Sequence, residues 1–207
     1  MPATTRLLIF AKAPQPGLAK TRLIPALGAV GAADLARQML THTLAQALAA
    51  EAQAVELCMS PAAVDPAWLG VALPDALELS DQGEGDLGER MDRAMQRALT
   101  RQPAVLLMGS DCPALGAAHI SEAARQLRRH DAVLVPAADG GYVLIGLKAP
   151  CPEVFTHMAW STPAVATETL RRLATLGLRV WLGPTLHDID EADDLIHVPD
   201  NFSATSK

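Results

Sequence analysis

Cysteine is scarce in this chain and poorly placed for cross-linking. The three are Cys58, Cys112 and Cys151, an odd number at wide separations with no CxxC pair. That argues against a disulfide framework and for a reducing, cytoplasmic setting. Long apolar runs are absent as well. The start, MPATTRLLIFAKAP, carries five apolar residues after Arg6, too few for the core of a signal peptide. No later stretch approaches the roughly 18 uninterrupted apolar residues of a membrane span, so no membrane partner is expected. A basic excess is missing too. The net charge is −6 with both signs spread along the chain, which leaves no basic stripe to neutralise a nucleic-acid backbone. One local basic loop would still suffice for a small anion. No repeat, low-complexity linker or composition break divides the 207 residues, and the length suits one domain. The apolar share of 50% supplies a core without a metal or disulfide staple. Nothing in the sequence indicates an oligomeric state.

What is present is an alternation of short apolar runs with longer amphipathic segments. Leu7 to Phe10, Val55 to Met59, Val105 to Met108 and Ala132 to Val135 read as buried strands, each closed by turn or polar residues. Leu35, Met39, Leu40, Leu44, Ala47 and Leu48 fall on one helical face, and Leu87, Met91, Met95, Ala98 and Leu99 on another. A third helix is expected over about Ala118 to Arg129. A fourth is expected over Pro163 to Ala174, with Thr162 as its cap and Pro163 in its first turn. Gly177 stops it, and Arg179 to Leu182 reads as a strand. The alternation predicts a three-layer α/β/α domain with a mostly parallel sheet. Tyr142 to Leu147 follows Val135 too closely for a helical crossover and is expected to run antiparallel. The tail after Pro199 is polar and expected to fray.

In open α/β sheets, ligands bind outside the carboxyl ends of the strands. Four segments leave those ends with useful chemistry. AKAPQPGLAKTRL places Lys12, Lys20 and Arg22 within eleven positions, a set that can hold a di- or triphosphate by charge-assisted hydrogen bonds. Pro14 and Pro16 stiffen the loop, and Gly17 allows close backbone approach. Lys20-Thr21 matches the end of a Walker A loop, but Pro14 and Ala19 stand where that loop needs glycine. The bland alternative is a solvated basic loop. MGSDCPAL brings Asp111 out at a strand end, where a carboxylate suits Mg²⁺ or Mn²⁺ or simply caps a turn. Cys112 beside it reads as a small buried residue.

PAADGGYVLIGL sets Asp139 before Gly140 and Gly141 and the chain's only tyrosine, Tyr142. Asp139 could bind a hydroxyl or accept a proton, but Asp-Gly-Gly is also a common turn, and on the residues alone the turn is preferred. HDIDEADDL alternates Asp188 and Asp190, which on extended backbone face the same side. Either could complete a metal shell begun by Asp111. Asp190 could equally cap a short helix through Glu191 to Ile196, which leaves Asp188 the freer carboxylate. Gly83, Gly85 and Gly88 form a literal G-x-G-x-x-G with Asp111 following 23 residues after Gly88. A dinucleotide site is disfavoured there, because Glu84 and Asp86 would repel a pyrophosphate. The glycine-rich turn and helix start still favour an anion, with Arg90 in the first turn.

Taken in order, FAKAPQPGLAKTRL, QGEGDLGERM, GSDCPAL, ADGGYVLIGL, WSTP and DIDEADDL resemble a bacterial glycosyltransferase-like family. It lies within the nucleotide-diphospho-sugar transferase superfamily, and some of its members are assigned to arsenosugar biosynthesis. The resemblance runs from about Leu7 to Leu195. It implies a GT-A type fold with the nucleotide bound over the amino-terminal half. It further implies a divalent metal, Mg²⁺ or Mn²⁺, held by Asp111 with Asp188 and Asp190. Lys12, Gly17, Lys20 and Arg22, joined by Gly85 and Arg90, would hold the nucleotide phosphates; Gly140, Gly141, Tyr142 and Trp160 would face the substrate. The KTRL ending also looks like the loop of phospholactate guanylyltransferases.

Two reactions fit this set. In glycosyl transfer from a nucleotide-sugar to a small-molecule acceptor, Asp111 and Asp188 hold the metal on the diphosphate leaving group, and Asp139 serves the acceptor. In nucleotidyl transfer, the same loop holds a nucleoside triphosphate and pyrophosphate leaves. Three cations suit a triphosphate slightly better, whereas the family resemblance favours glycosyl transfer, which is placed first. A non-catalytic nucleotide-binding domain is the third alternative, and the intact acidic set argues against it.

Overall fold

Thr5–Lys12 (β1) is buried at every residue but Lys12, and its side chains divide between two cores. Leu7, Ile9 and Ala11 point to one, Leu8 and Phe10 to the other, as the two-residue period of a strand requires. A computed structural model describes residues 5–52 and 54–202, and the tail expected to fray lies partly outside them. Six more strands join β1: Ala54–Ser60 (β2), Glu78–Asp81 (β3), Ala104–Met108 (β4), Ala132–Pro136 (β5), Tyr142–Leu147 (β6) and Val180–Leu182 (β7). Their order is β3-β2-β1-β4-β6-β5-β7. All neighbours pair parallel except β6, which runs antiparallel to both β4 and β5. The reversal expected for Tyr142 to Leu147 is therefore present. Gly146 makes it possible, since a Cβ there would lie 2.4 Å from Leu106 Cδ2 and 2.6 Å from Val133 Cγ2.

Among the described residues, four α-helices cover the sheet: Ile24–Ala49 (α1), broken by the non-helical backbone of Gly28, Leu87–Leu99 (α2), Ala117–Leu127 (α3) and Val165–Thr175 (α4). On one face α1 supplies Leu40, Leu44 and Ala47, and α3 supplies Ile120, Ala123 and Leu127. On the other, α2 supplies Met91, Met95 and Ala98, and α4 supplies Ala166 and Leu173. This is the three-layer α/β/α arrangement with a mixed, mostly parallel sheet. No helix among the described residues is long and apolar enough to cross a membrane.

The fourth helix starts later than its sequence implies. Thr162 does not cap it; its hydroxyl donates to the Ala159 carbonyl at 2.8 Å, and helical geometry begins at Val165 behind Ala164. A local turn has claimed the hydroxyl first. The expected helix after Asp190 is a 3-10 segment, Ala192–His197, and its capping box joins Glu191 to Asp194. The Asp190 side chain is engaged elsewhere.

Charge also enters the core, near the amino ends of the strands. Arg6 Nη1 donates to Glu56 Oε2 at 2.8 Å, and both side chains are buried. Arg6 further grips Glu78 through Nη1 at 2.8 Å and Nη2 at 3.0 Å. The other oxygen of Glu56 accepts from Arg97 of α2 and from Ser80 Oγ. Neither strand's apolar pattern announced this network, although Arg6 and Glu56 are conspicuous charges inside otherwise buried strands.

Candidate functional site

The parallel strands deliver four segments to one end of the sheet. β1 leads into the basic loop, which closes in the 3-10 turn Thr21–Leu23. β4 leads to Asp111, and β5 leads to the tight turn at Asp139 before β6. The late acidic segment is tied in by backbone hydrogen bonds. Ala138 N donates to Leu186 O at 2.9 Å, and Ile189 N donates to Asp111 O at 2.8 Å. Ile189 is fully buried against Leu23 and Met39. Its neighbours Asp188 and Asp190 alternate away from it, and both line a cleft of about 500 Å³.

Lys20 is the centre of this cleft. Its ammonium lies 3.2 Å from Asp111 Oδ2 and 3.3 Å from Asp190 Oδ1, with only 11% of the side chain exposed. Burial acts to lower the Lys20 pKa, but the charges of Asp111 and Asp190 outweigh it and the pKa rises. Its backbone is left-handed, φ 48° and ψ 45°, a conformation uncommon for a residue with a Cβ. Arg22 reaches the second oxygen of Asp190 at 3.0 Å and Glu191 at 3.3 Å. Among the described residues, no cation forms an ion pair with Asp188, although the charge of Lys20 is felt there. Burial, then the charges of Asp111 and Asp139, push its carboxyl up to about 6. The site therefore holds more negative charge than its own cations balance, and Asp188 carries the imbalance.

The opposite wall is apolar. Leu87, Met91, Tyr142, Trp160 and Val165 line it, and the rings of Tyr142 and Trp160 meet edge to face at 6.4 Å. The Tyr142 hydroxyl and Trp160 Nε1 are buried and find no hydrogen-bond partner among the described residues. Met91, read from sequence as core filler, is buried in the core and also borders the cleft. Asp139 is exposed on the rim and accepts from Gly141 N at 2.8 Å. The turn and the placement in the cleft thus coexist.

A metal fits this donor set only in part. Asp111 and Asp188 both bring hard oxygens to the cleft, and the charge of Asp111 acts on Asp188, an arrangement that favours a divalent cation. Among the described residues, no set of three or more acidic, histidine or cysteine side chains is arranged to hold an ion unaided. The fit is to an ion that shares its shell with substrate phosphates, which is common for Mg²⁺. Burial pushes the Cys112 thiol up to about 12, which argues against a nucleophilic role.

Residues 43–162, more than half of the chain, match the family described as "Uncharacterized protein conserved in bacteria (DUF2064)". The chain belongs to DUF2064. Among solved structures, a candidate nucleotide-diphospho-sugar transferase from Desulfovibrio desulfuricans G20 is 33% identical. The match covers 97% of this chain and 90% of that one, with a TM-score of 0.86. Rv0371c from Mycobacterium tuberculosis H37Rv, in complex with manganese, has a TM-score of 0.60 at 14% identity, covering 96% and 100% of the two chains. A CMP:2-keto-3-deoxy-manno-octonic acid synthetase complexed with CTP has a TM-score of 0.59 at 13% identity, covering 95% and 97%. At such identities the last two establish the shared fold alone. No curated protein matches the chain.

In this DUF2064 member, ten of the residues singled out from sequence meet around one cleft: Lys12, Lys20, Arg22, Asp111, Asp139, Gly141, Tyr142, Trp160, Asp188 and Asp190. Four others do not line it. Gly17 is exposed at φ 79° with open space around it, so it serves the turn of the loop. Gly85 borders a separate shallow depression, and the Glu89 side chain of the α2 cap occupies the space a Cβ would need. Arg90 is tied to Gln82 Oε1 at 3.1 Å and to the Asp86 carbonyl at 3.2 Å. Gly140 lies against Pro163, whose carbonyl oxygen would be 2.2 Å from a Cβ there. At Gly85 and Gly140 the chain packs closely on itself, and both hold a positive φ, 105° and 91°.

Proposed function

We propose that the chain is a divalent-metal-dependent transferase that takes a nucleotide-sugar as donor and works as one domain over residues 1–207. The observation that carries this is the meeting of Lys20 with Asp111 beside the unbalanced Asp188. A phosphate grip and an acidic pair share one point at the carboxyl ends of β1 and β4. The likeness to the Desulfovibrio protein supports the class of donor, and the manganese-bound fold relative supports a divalent ion.

Lys12, Lys20 and Arg22 would hold phosphate oxygens. Two of the three Lys20 donors are engaged by Asp111 and Asp190, and the third can meet a phosphate. Asp111 and Asp188 would hold Mg²⁺ or Mn²⁺, which when bound neutralises charge developing on the leaving diphosphate. Asp139, exposed on the rim, would orient the acceptor or take its proton. The Tyr142–Trp160 wall would exclude water from the sugar side of the cleft.

A second reaction deserves a place because of the three cations. Nucleotidyl transfer, with the loop on a triphosphate and pyrophosphate leaving, uses the same residues. The two separate in one experiment: thermal shift with Mg²⁺ or Mn²⁺ and a panel of nucleoside triphosphates and nucleotide-sugars, followed by product analysis. Stabilisation by sugar-nucleotides with slow metal-dependent hydrolysis supports glycosyl transfer. Preference for one triphosphate, with pyrophosphate released on adding an acceptor, supports nucleotidyl transfer; the acceptor panel includes an arsenic-bearing sugar precursor. Asp111→Ala is expected to weaken metal-dependent nucleotide binding at least tenfold, by analogy with the roughly 10–100-fold lost when a metal site's supporting groups are removed. Unchanged metal-dependent binding in that variant, or no nucleotide binding by the wild type, would sink the proposal.

A further inference from the structure

We infer that Asp190 is a positioning residue for the basic loop rather than a ligand of the metal. The inference rests on the transferase reading above and divides the labour within its site. Both carboxylate oxygens of Asp190 face cations of the first loop: Oδ1 takes Lys20 Nζ at 3.3 Å, and Oδ2 takes Arg22 Nη1 at 3.0 Å. A carboxylate that bridges two cations in this way has little remaining charge to offer a metal. Its backbone is fixed as well, since Asp190 N donates to Asp194 Oδ2 at 2.9 Å. Among the described residues, Asp188, two residues earlier and on the same side, makes no ion pair, and it lines the cleft with Asp111 and Asp139. Of the two alternating acids, it is the one whose oxygens are left for the metal of the transferase reading.

The loop needs such a clamp. Lys20 sits in a left-handed backbone conformation without a side-chain cap, and 56% of the Arg22 side chain is exposed. Two long side chains left free would have to be ordered by the phosphate itself, and ordering of this kind weakens binding. Asp190 and Glu191 do that ordering beforehand, reaching across from the far end of the chain. Charge counting predicts the opposite outcome, because removing an acid next to a phosphate site should tighten an anion.

The test uses two probes on the full chain: Mn²⁺ alone, followed by water-proton relaxation, and inorganic pyrophosphate in EDTA, followed by calorimetry at about 0.15 M salt, where the Debye length is about 8 Å. Asp190→Asn is expected to keep Mn²⁺ affinity within about twofold and to weaken pyrophosphate about tenfold. Asp190→Glu is expected to restore pyrophosphate binding, and Asp188→Asn to lose Mn²⁺ while keeping pyrophosphate. Asp190 is 43% exposed in its side chain, so the fold tolerates these changes, and a thermal melt checks it. Loss of Mn²⁺ in Asp190→Asn equal to that in Asp188→Asn overturns the inference, as does unchanged or tighter pyrophosphate binding. In both cases a wild type that binds the two probes leaves the transferase reading standing. A wild type that binds neither removes both.

Discussion

Charged side chains gather at both ends of the parallel strands, and the two gatherings are built to opposite specifications. Near the amino ends, Glu56 is buried with each oxygen answered, one by Arg6 and the other by Arg97 and Ser80. Near the carboxyl ends, Lys20 and Arg22 pair with three carboxylates, Asp111, Asp190 and Glu191, and Asp188 is left to hold its proton to about 6. A buried charge is tolerated when every lone pair has a donor. A cleft that keeps surplus charge at its surface is instead prepared for something that arrives. The first cluster holds the sheet to α2; the second is the site proposed above.

If that division is right, perturbing the two clusters should give non-overlapping results. The largest expected effect is on stability. Glu56→Gln should cost about 3 kcal/mol, the low end for a broken buried pair because Arg6 keeps Glu78. Urea unfolding measures it, and nucleotide affinity should be unchanged. A variant that unfolds no more easily than wild type would mean the amino-end network is dispensable.

The next effect is on pH dependence. The folded state raises the Asp188 carboxyl from 3.8 to about 6, so it binds that proton more tightly than the unfolded chain does. The associated destabilisation is therefore full above about pH 6 and disappears as pH falls toward 3.8. Asp188→Asn should remove this contribution from the stability profile. Mn²⁺ affinity should fall roughly tenfold per unit below about pH 6, because metal and proton compete for one carboxylate. A flat Mn²⁺ titration between pH 7 and pH 5 would remove Asp188 from the metal site.

The smallest expected effect is at Cys112. It sits next to Asp111, but its thiol is buried and donates to the His187 carbonyl at 3.2 Å. Cys112→Ser should leave transfer activity within about twofold and stability within about 1 kcal/mol, the scale of one ordinary hydrogen bond. A large loss of turnover with normal nucleotide binding would give the thiol a chemical role after all.

Much of this was legible in the sequence because it rests on short-range rules. Leu7 to Phe10 and Val105 to Met108 could only be buried strands, and in a parallel sheet their carboxyl ends had to meet. That alone brought Lys20 and Asp111, 91 positions apart, within reach. The reversal of β6 followed from the short link after Val135. What escaped was decided by packing between distant segments. The packing of Glu89 beside Gly85 and of Pro163 beside Gly140 had no sign in the residues themselves. Thr162 looked like a cap until a nearer carbonyl took its hydroxyl. The pairing of Arg6 with Glu56 joins strands whose register no local pattern states. The apolar side of the cleft was hidden for a different reason: Met91 and Leu87 lie on a helical face that serves the core first.

Lys20 sets the backbone and the side chain of one residue against each other. Its left-handed backbone would suit glycine, and a non-glycine residue there costs roughly 1 kcal/mol or more. Lys20→Gly would remove that strain but leave Asp111 and Asp190 without their shared cation. The residue at position 20 is therefore the one the cleft requires, not the one the turn alone would prefer.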